Sequence, residues 1–120
     1  MTVPLVRADA GGREIVNVVA SSGGSHTIDL ADGNYHAITV DDDCTLDVTG
    51  TVADRVCSFT VELIQDATGG RTVTWWGGIE WAGGTAPTLS TGANEVDIFV
   101  FVTRDDGTTW RGGVFGQDFS

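Results

Sequence analysis

Lysine is absent from the 120-residue chain, and its basic side chains are six arginines against 17 acidic residues. The formal net charge is therefore −11 at pH 7. Proteins that bind DNA, RNA or anionic membranes do so largely through clusters of Lys and Arg, so this charge argues against all three as partners. The same acidity keeps a β-rich protein soluble and discourages association between sheet edges. It also fits a partner that is basic or offers local arginine pockets.

Strong helix formers are scarce as well, with one methionine, two glutamines and four glutamates. The chain is instead rich in Gly, Thr, Val and Asp, and glycine alone occurs 17 times. Branched residues such as Thr and Val favour strands, while Gly and Asp favour turns. The composition thus predicts an all-β protein. A length of 120 residues predicts a single domain that buries a core without needing disulfides.

Long hydrophobic runs are also lacking. No stretch approaches the roughly 20 apolar residues of a membrane-spanning helix. The first residues, Met1 to Pro4, do not show the charged-then-apolar pattern of a secretory signal. We therefore expect a protein that is made in the cytoplasm.

Cysteine occurs only twice, at Cys44 and Cys57. A symmetric hairpin around Gly50 and Thr51 would bring the two side chains face to face, so a disulfide is geometrically feasible. We expect two buried free thiols instead, because the cytoplasm keeps thiols reduced. The spacing, with no companion His or Cys pair, does not indicate zinc.

Segments rich in branched and aromatic residues predict eight short strands, at residues 15–20, 26–30, 35–40, 44–49, 57–63, 71–75, 95–103 and 109–115. Turn formers separate them, and Asp32-Gly33 is typical of a tight hairpin. The pattern predicts a small antiparallel β-sandwich or jelly-roll-like domain over residues 15–120. We find no tandem repeat and no second domain.

The strand at 95–103 differs from the others because residues 98–102 read IFVFV without a polar break. Such a run implies that both faces of the strand are covered. The second face would be covered by loops or by another subunit. Asp97, which precedes the run, is predicted to form a structural ion pair with Arg71 or Arg111.

Residues 1–14 are predicted to form an extended N-terminal arm. Its core is the tetrapeptide Val3, Pro4, Leu5 and Val6, in which proline restricts the backbone to extended geometry. A glycine pair at 11–12 then interrupts it. Two interpretations remain open: the tetrapeptide adds a strand to the sheet of a neighbouring molecule, or it is a frayed terminus or first edge strand of its own sheet.

The sequence offers no arrangement for chemistry, and we expect no catalytic residue, no metal and no cofactor. His26 and His36 lie on the predicted early hairpin at positions that do not converge, so we interpret them as surface or strand-face side chains. The acidic run at 41–43 lacks the ligand spacing of a calcium-binding loop. A solvated turn is therefore favoured there over a calcium site.

The tryptophans are the remaining candidates for function. Trp75, Trp76 and Trp81 lie among glycines, and Trp110 opens the last predicted strand. Because tryptophan near loops can stack on sugar rings, Trp76 is our candidate for a ligand contact. The favoured interpretation of the other three is that they close the ends of the sandwich or a seam between subunits.

The second half of the chain contains a distinctive series of segments: residues 59–69 (FTVELIQDATG), 70–75 (GRTVTW), 79–93 (IEWAGGTAPTLSTGA), 96–97 (VD), 106–110 (DGTTW) and 116–119 (GQDF). Together they resemble the β module of tailed-bacteriophage virion proteins, which occurs in tail-fibre proteins and in small head proteins. The resemblance covers roughly residues 57–119 and departs from the pattern at residues 76–78, where a proline would be expected after the first tryptophan.

The resemblance implies a non-enzymatic structural protein of the virion, made in the host cytoplasm. The short arm favours a capsid decoration (cement) protein on the outer surface of the capsid, with the major capsid protein and further copies of itself, as a homotrimer, for partners. The arm would bind the capsid, and the subunits would pack through Ile98, Phe99, Val100, Phe101, Trp75, Trp81 and Trp110. The alternative is a tail-tip or tail-fibre module that recognises a host surface glycan.

Overall fold

A computed structural model describes residues 14–120, and the tetrapeptide Val3, Pro4, Leu5 and Val6 of the predicted arm lies outside the described residues. The described chain is almost entirely strand and turn, which confirms the all-β prediction. Two short 3-10 helices lie at Leu30–Asp32 and Ala82–Gly84. The strands are β1 (Val16–Val19), β2 (Ser25–Asp29), β3 (Tyr35–Val40), β4 (Cys44–Thr49), β5 (Cys57–Gln65), β6 (Val73–Thr74), β7 (Ile79–Trp81), β8 (Val96–Thr103) and β9 (Trp110–Phe119).

The strands form a six-stranded sheet in the order β1-β3-β5-β8-β9-β7 and a three-stranded sheet in the order β2-β4-β6. The first six strands alternate between the two sheets, and within each sheet they run parallel. Residues 16–74 therefore wind through three successive coils, each with one strand in either sheet. Val16 lies beside Tyr35, and Tyr35 lies beside Thr60. This is the construction of a β-solenoid, in which each coil stacks on the next.

Two sequence predictions are wrong here. Antiparallel pairing holds only for β5 with β8 and for β8 with β9, while the five other pairings are parallel. The coils are also a structural repeat that sequence inspection missed. Side chains alternate with period two in both kinds of sheet, so the pattern that located the strands contained no information on their direction.

The predicted hairpin at Asp32-Gly33 is in fact the crossing from one sheet to the other. The side chain of Asp29 accepts a hydrogen bond from the Ala31 amide at 3.0 Å and starts the 3-10 turn. Gly33 follows with φ of 145°, and a Cβ there would lie 2.5 Å from the carbonyl oxygen of Ile15. Only glycine can be accommodated where the two coils come this close together. Gly33 therefore allows the coils to stack and does not form a hairpin turn.

The core lies between the two sheets. Alternate residues of β3, β5 and β8 point inward, and among them Ile38, Val61 and Phe99 are fully buried. Ile28 and Leu46 meet them from the three-stranded sheet. Residues 14–120 contain no helix that is long and apolar enough to cross a membrane. Cys44 is buried in β4, Cys57 is half-buried in β5, and both thiols are free.

Both histidines lie on strands, as the strand-face interpretation predicted, with His26 half-buried in β2 and His36 buried in β3. His36 is fully buried, with Nε2 2.9 Å from the carbonyl oxygen of Gly33 and Nδ1 3.3 Å from the side-chain amide nitrogen of Asn17. A carbonyl only accepts, so Nε2 carries the proton and Nδ1 accepts from Asn17. Burial lowers the pKa of His36 and also that of His26, whose Nε2 is buried without a partner in the described residues.

We expect stability to fall as the pH drops below about 6.5, the usual histidine pKa. Both histidines have a lowered pKa in the folded chain, so the unfolded chain binds more protons below that pH. The loss of stability should start near the usual histidine pKa and continue as the pH falls to the lowered pKa of the folded state. The negative charge of Asp32 partly opposes the lowering of the pKa at both histidines. Urea unfolding measured between pH 7.5 and 5 tests this.

The variant His36→Gln is the control for that experiment, since glutamine can donate to Gly33 without binding a proton. It should make stability less dependent on pH across the same interval. The aspartates with lowered pKa, such as Asp66 and Asp105, titrate below this range and leave the comparison unaffected. An unfolding free energy that stays constant from pH 7.5 to 5 would contradict the prediction.

Candidate interaction face

The face of the six-stranded sheet that points away from the core is unusually poor in charge. Glu62 is the one charged residue at the outward positions of β1, β3, β5 and β8, although the chain as a whole has a net charge of −11. Arg111 of β9, opposite Val102, adds one positive charge. We call this surface the outer face, and its residues in those four strands are Val16, Val18, Tyr35, Ala37, Thr39, Ser58, Thr60, Glu62, Ile64, Val96, Ile98, Val100 and Val102.

Large apolar side chains are exposed at β1, which is one edge of this sheet, and again at β8 and β9, near the other edge. On one side is the β1 patch, formed by Ile15, Val16 and Val18, of which Val18 is 72% exposed. On the other side is the β8–β9 patch, formed by Val100, Phe115 and Phe119, of which Phe115 is 70% exposed. Val114 is exposed as well, but it pairs with Phe99, whose side chain points into the core, so it lies on the opposite face of the sheet. Single exposed apolar residues are common on proteins, but a cluster of them on a face with little charge marks an interaction surface.

A groove of about 440 Å³ lies between the two patches. Val100 and Val102 line it together with Tyr35 and Thr60, and Glu14, the first described residue, also contributes to its lining. Gly113 pairs with Val100, and a Cβ placed on it would meet no atom closer than Ala82 Cβ at 3.8 Å. The groove is therefore open at this glycine. We call it the central groove.

One polar pair crosses the outer face. The Tyr35 hydroxyl donates a hydrogen bond to the carboxylate of Glu62. Partial burial, the hydrogen bond and the nearby negative charge together raise the pKa of Tyr35 to about 12. The tyrosine is thus neutral at physiological pH, and its donor is already used within the chain. Sequence inspection missed this pair. The register of β3 and β5 reveals it, because Ala37 pairs with Glu62 and Tyr35 lies two residues before Ala37 on the same face of the sheet.

The aromatic residues predicted to contact subunits or ligands mostly lie in the core instead. Trp110 is 1% exposed and Trp76 is 8% exposed. Their rings pack with Phe59, whose centroid lies 5.2 Å from that of Trp110 and 5.8 Å from that of Trp76. Trp76 is therefore unavailable as the predicted ligand contact. Its adjacency to glycines suggested a loop, and Trp76 does lie in the loop between β6 and β7, but its ring packs inward.

The residues that were predicted to pack between subunits divide into buried core residues, half-buried residues and residues of the outer face. Phe99, Phe101 and Trp110 are core residues, while Trp75 and Trp81 are half-buried with their centroids 5.2 Å apart. Val100 and Ile98 alternate with the buried phenylalanines and lie on the outer face, where Val100 is 42% exposed. These two remain available for subunit packing. The unbroken apolar run thus has one face in the core and one that the described chain leaves uncovered.

The acidic turn at 41–43 ties neighbouring coils together. Asp41 accepts hydrogen bonds from the Ser21 hydroxyl and the Gly23 amide, and Asp43 accepts one from the Thr72 amide at 2.9 Å. These bonds hold the pKa of both carboxyl groups below the usual value. Within residues 14–120 no group of three or more His, Cys, Asp or Glu side chains is arranged to hold a metal ion.

Comparison with known proteins gives one match. Residues 27–108 match the family model described as "Putative phage tail fibre C-terminal domain". No curated protein matches the chain, and no solved structure matches it. The matched range runs from the second strand of the first coil to the turn between β8 and β9.

Proposed function

The chain belongs to this family of phage tail fibre C-terminal domains, and from that premise we propose that it is the distal module of a tail fibre, where several copies pack together and face the host. It is thus a structural component of a phage virion. The observation that supports packing of several copies is the charge-poor outer face with its β8–β9 patch. The proposed role is non-enzymatic.

Electrostatics favours this face for self-association. Copies that each carry a net charge of −11 repel one another over most of their surface. The β8–β9 patch is apolar, and Arg111, which lies opposite Val102, already pairs with Glu80 at 3.3 Å. Burying Val100, Phe115 and Phe119 against another copy removes apolar area from water, with Asp118 as the acidic chain neighbour of Phe119.

We propose a homotrimer arranged around the fibre axis. Head-to-tail contacts between identical copies form a closed ring when the rotation from one copy to the next closes, and a ring of three is the form that we propose. The capsid decoration role predicted from the sequence has less support, because the matching family is one of tail fibres. The major capsid protein is accordingly not the partner that we propose.

A host surface glycan is the proposed ligand class of the assembled module. The buried tryptophans exclude sugar stacking on Trp76, so the contact would use other exposed side chains. The net charge of −11 favours neutral or basic sugars over phosphorylated ones.

The oligomeric state tests the packing proposal. Light scattering during gel filtration should give three times the chain mass of 12.6 kDa for the natural sequence. Phe115→Asp should give a monomer of the chain mass, because it places a charge in the apolar contact. Val52→Asp is the matched control, since Val52 is an exposed valine in the loop before β5, away from the patch. That variant should remain trimeric.

Two kinds of result would contradict the proposal. The first concerns the oligomeric state: the natural protein stays monomeric at high concentration, or the Phe115→Asp variant stays trimeric. The other is a location on the head: gold-labelled antibodies against the protein should mark the tail fibres of the particle, and labelling of the capsid would favour the decoration role.

A further inference from the structure

A second pocket lies at the end of β8, where the chain turns back into β9. Its volume is about 430 Å³, which is within the usual range of sites for small molecules. Val56 and Val102 are its apolar residues, and Arg104, Asp105 and Arg111 contribute charged side chains. We call it the hairpin pocket. Its size and mixed lining are typical of a site for a small polar ligand.

The hairpin pocket lies away from the β8–β9 patch, which we assign to packing between copies. Phe119 pairs with Val96 at one end of β8, whereas Arg111 pairs with Val102 near the other end. Six residues of strand separate Val96 from Val102, or about 20 Å at about 3.3 Å per residue. In the described chain, the residues that line the pocket include no member of that patch. Copies can therefore pack through the patch and leave the pocket open.

The charges of the hairpin pocket balance. Arg104 and Arg111 supply two positive charges, and Glu80 and Asp105 supply two negative charges. A charged ligand of either sign would meet repelling groups as well as attracting ones, so the pocket favours an uncharged ligand. Guanidinium groups only donate hydrogen bonds, and ionised carboxylates only accept them. A sugar hydroxyl does both, so it suits a lining that offers both kinds of partner.

Asp105 holds a hydrogen-bond acceptor in a fixed position at this pocket. Its Oδ1 atom accepts a hydrogen bond from the Thr109 amide at 2.8 Å, and the Thr103 hydroxyl lies 2.9 Å from the same atom. The bond from the Thr109 amide holds the pKa of Asp105 below the usual value, so the carboxylate is ionised at neutral pH. Within residues 14–120 no hydrogen bond uses Oδ2. One oxygen therefore orients the group, and the other is available to a ligand.

The two guanidinium groups of the pocket keep donors for a ligand. Arg111 uses its Nε atom for the Glu80 carboxylate at 3.3 Å, and the two side chains are 60% and 65% exposed. Arg104 forms no ion pair with another residue of the described range 14–120. Because a guanidinium carries five N–H donors, both arginines have N–H groups left to donate.

We propose that the hairpin pocket binds one uncharged sugar unit of the host surface glycan. This assignment rests on the proposed function, which makes a glycan the ligand, and it adds the site and the class of sugar. Asp105 accepts a hydrogen bond from a sugar hydroxyl, and Arg104 donates one to a sugar oxygen. Val56 and Val102 contact the apolar C–H groups of the sugar ring. Recognition of this kind does not need an exposed tryptophan.

Titration with monosaccharides, followed by the amide NMR signals of the isotope-labelled protein, tests the site. Glucose, galactose, mannose and N-acetylglucosamine are the neutral probes, and glucuronic acid is the charged comparison. At least one neutral sugar should shift the signals of Asp105, Thr109 and Arg111 in a saturable manner, and it should bind more tightly than glucuronic acid. The Phe115→Asp variant should show the same shifts as a monomer, because the pocket lies within one chain.

Asp105→Asn separates the ligand contact from the turn. Asparagine keeps an oxygen that accepts from the Thr109 amide but replaces the available oxygen with a donor, so the fold is kept and the acceptor is lost. The dissociation constant of the neutral sugar should rise at least about tenfold. Asp47→Asn, at an exposed carboxylate of β4 in the other sheet, makes the same change in net charge. As the matched control, it should leave the dissociation constant within about twofold of the natural value.

Arg104→Gln is the second variant, since it removes the guanidinium without touching the hydrogen bonds of Asp105. It should also weaken binding of the neutral sugar, while the mass from light scattering stays that of the natural protein. Three results would overturn the assignment. They are neutral sugars that leave the signals of the pocket unchanged, tighter binding of glucuronic acid, and an unchanged dissociation constant in both Asp105→Asn and Arg104→Gln.

These results are distinguishable from failure of the proposed function. Saturable shifts at another surface would keep a glycan as the ligand and show that the hairpin pocket is not its site. Spectra that none of the sugars changes would overturn both the glycan and the pocket. The packing proposal would then still stand if the natural protein is a trimer that Phe115→Asp breaks.

Discussion

Trp110→Ala should lower the free energy of unfolding by about 3–5 kcal/mol, the largest single loss expected in this chain. Trp110 is 1% exposed and is the largest fully buried side chain. Its ring meets Phe59 edge to face at 5.2 Å and Trp76 at 6.1 Å, so truncation leaves a cavity bordered by aromatic rings. Urea unfolding monitored by far-UV circular dichroism provides the measurement, because this signal reports mainly on the backbone and not on tryptophan emission.

Two further variants show whether the loss comes from the cavity. Trp110→Phe retains most of the ring and should cost less than Trp110→Ala. Val52→Ala removes an exposed valine and should change stability by no more than about 0.5 kcal/mol. If Trp110→Ala costs under about 1 kcal/mol, the ring does not lie in the core as described.

Asp97→Ala should cost about 3 kcal/mol or more, although the residue forms no ion pair in the described chain. The carboxylate is 2% exposed and accepts hydrogen bonds from the Ser90 amide at 2.8 Å, the Asp118 amide at 3.0 Å and the Gln117 side chain at 3.1 Å. Truncation leaves donors without an acceptor. Hydrogen exchange at the amides of Ser90 and Asp118 should accelerate together with the loss of stability.

The pH dependence of Asp97 has a definite sign. Burial alone raises its pKa, but the hydrogen bonds from Asp118, Ser90 and Gln117 outweigh burial, so the pKa of the folded state is lowered. Its contribution is therefore complete above about pH 4 and is lost as the pH falls through the lowered value. Asp47→Ala, at an exposed carboxylate of β4, is the control and should change stability little. Unchanged exchange at Ser90 in Asp97→Ala would contradict this role.

The environment of Asp97 also corrects a prediction. The sequence suggested pairing with Arg71 or Arg111, since a carboxylate in an apolar strand needs a partner. Arg71 instead pairs with Asp66 at 2.9 Å, and Arg111 pairs with Glu80. Two backbone amides and the Gln117 side chain satisfy Asp97, and the amides leave no trace in the sequence, because every residue except proline carries the same donor.

Sequence patterns located the strands well and their connections poorly. The alternation in residues 57–63 correctly placed Phe59, Val61 and Leu63 on the core face of β5. Parallel stacking was not visible, because the coils differ in length: the step between neighbouring strands is 19 residues from Val16 to Tyr35 and 25 from Tyr35 to Thr60. A repeat of variable length gives no fixed period to detect.

The interaction face was anticipated only in part. The run IFVFV predicted that both faces of the strand are covered, but in the described chain Val100 and Val102 are exposed beside the buried Phe99 and Phe101. Cover by another subunit stays a prediction. Tryptophan was a poor guide to the surface, since glycine-flanked rings can turn inward as well as outward. The β1 patch was not foreseen, because exposed and buried valines look alike in a sequence.

The coils described above also affect how the length of this protein can vary. Neighbouring coils bond to each other through parallel strand pairs, and the third coil also pairs with β8. Duplication of a stretch equal to one coil would therefore insert a layer without altering the aromatic core beneath β8 and β9 or the first coil at the opposite side. Every added layer would extend the molecule by one strand spacing, about 4.8 Å. A fold of this kind can lengthen in small, equal increments.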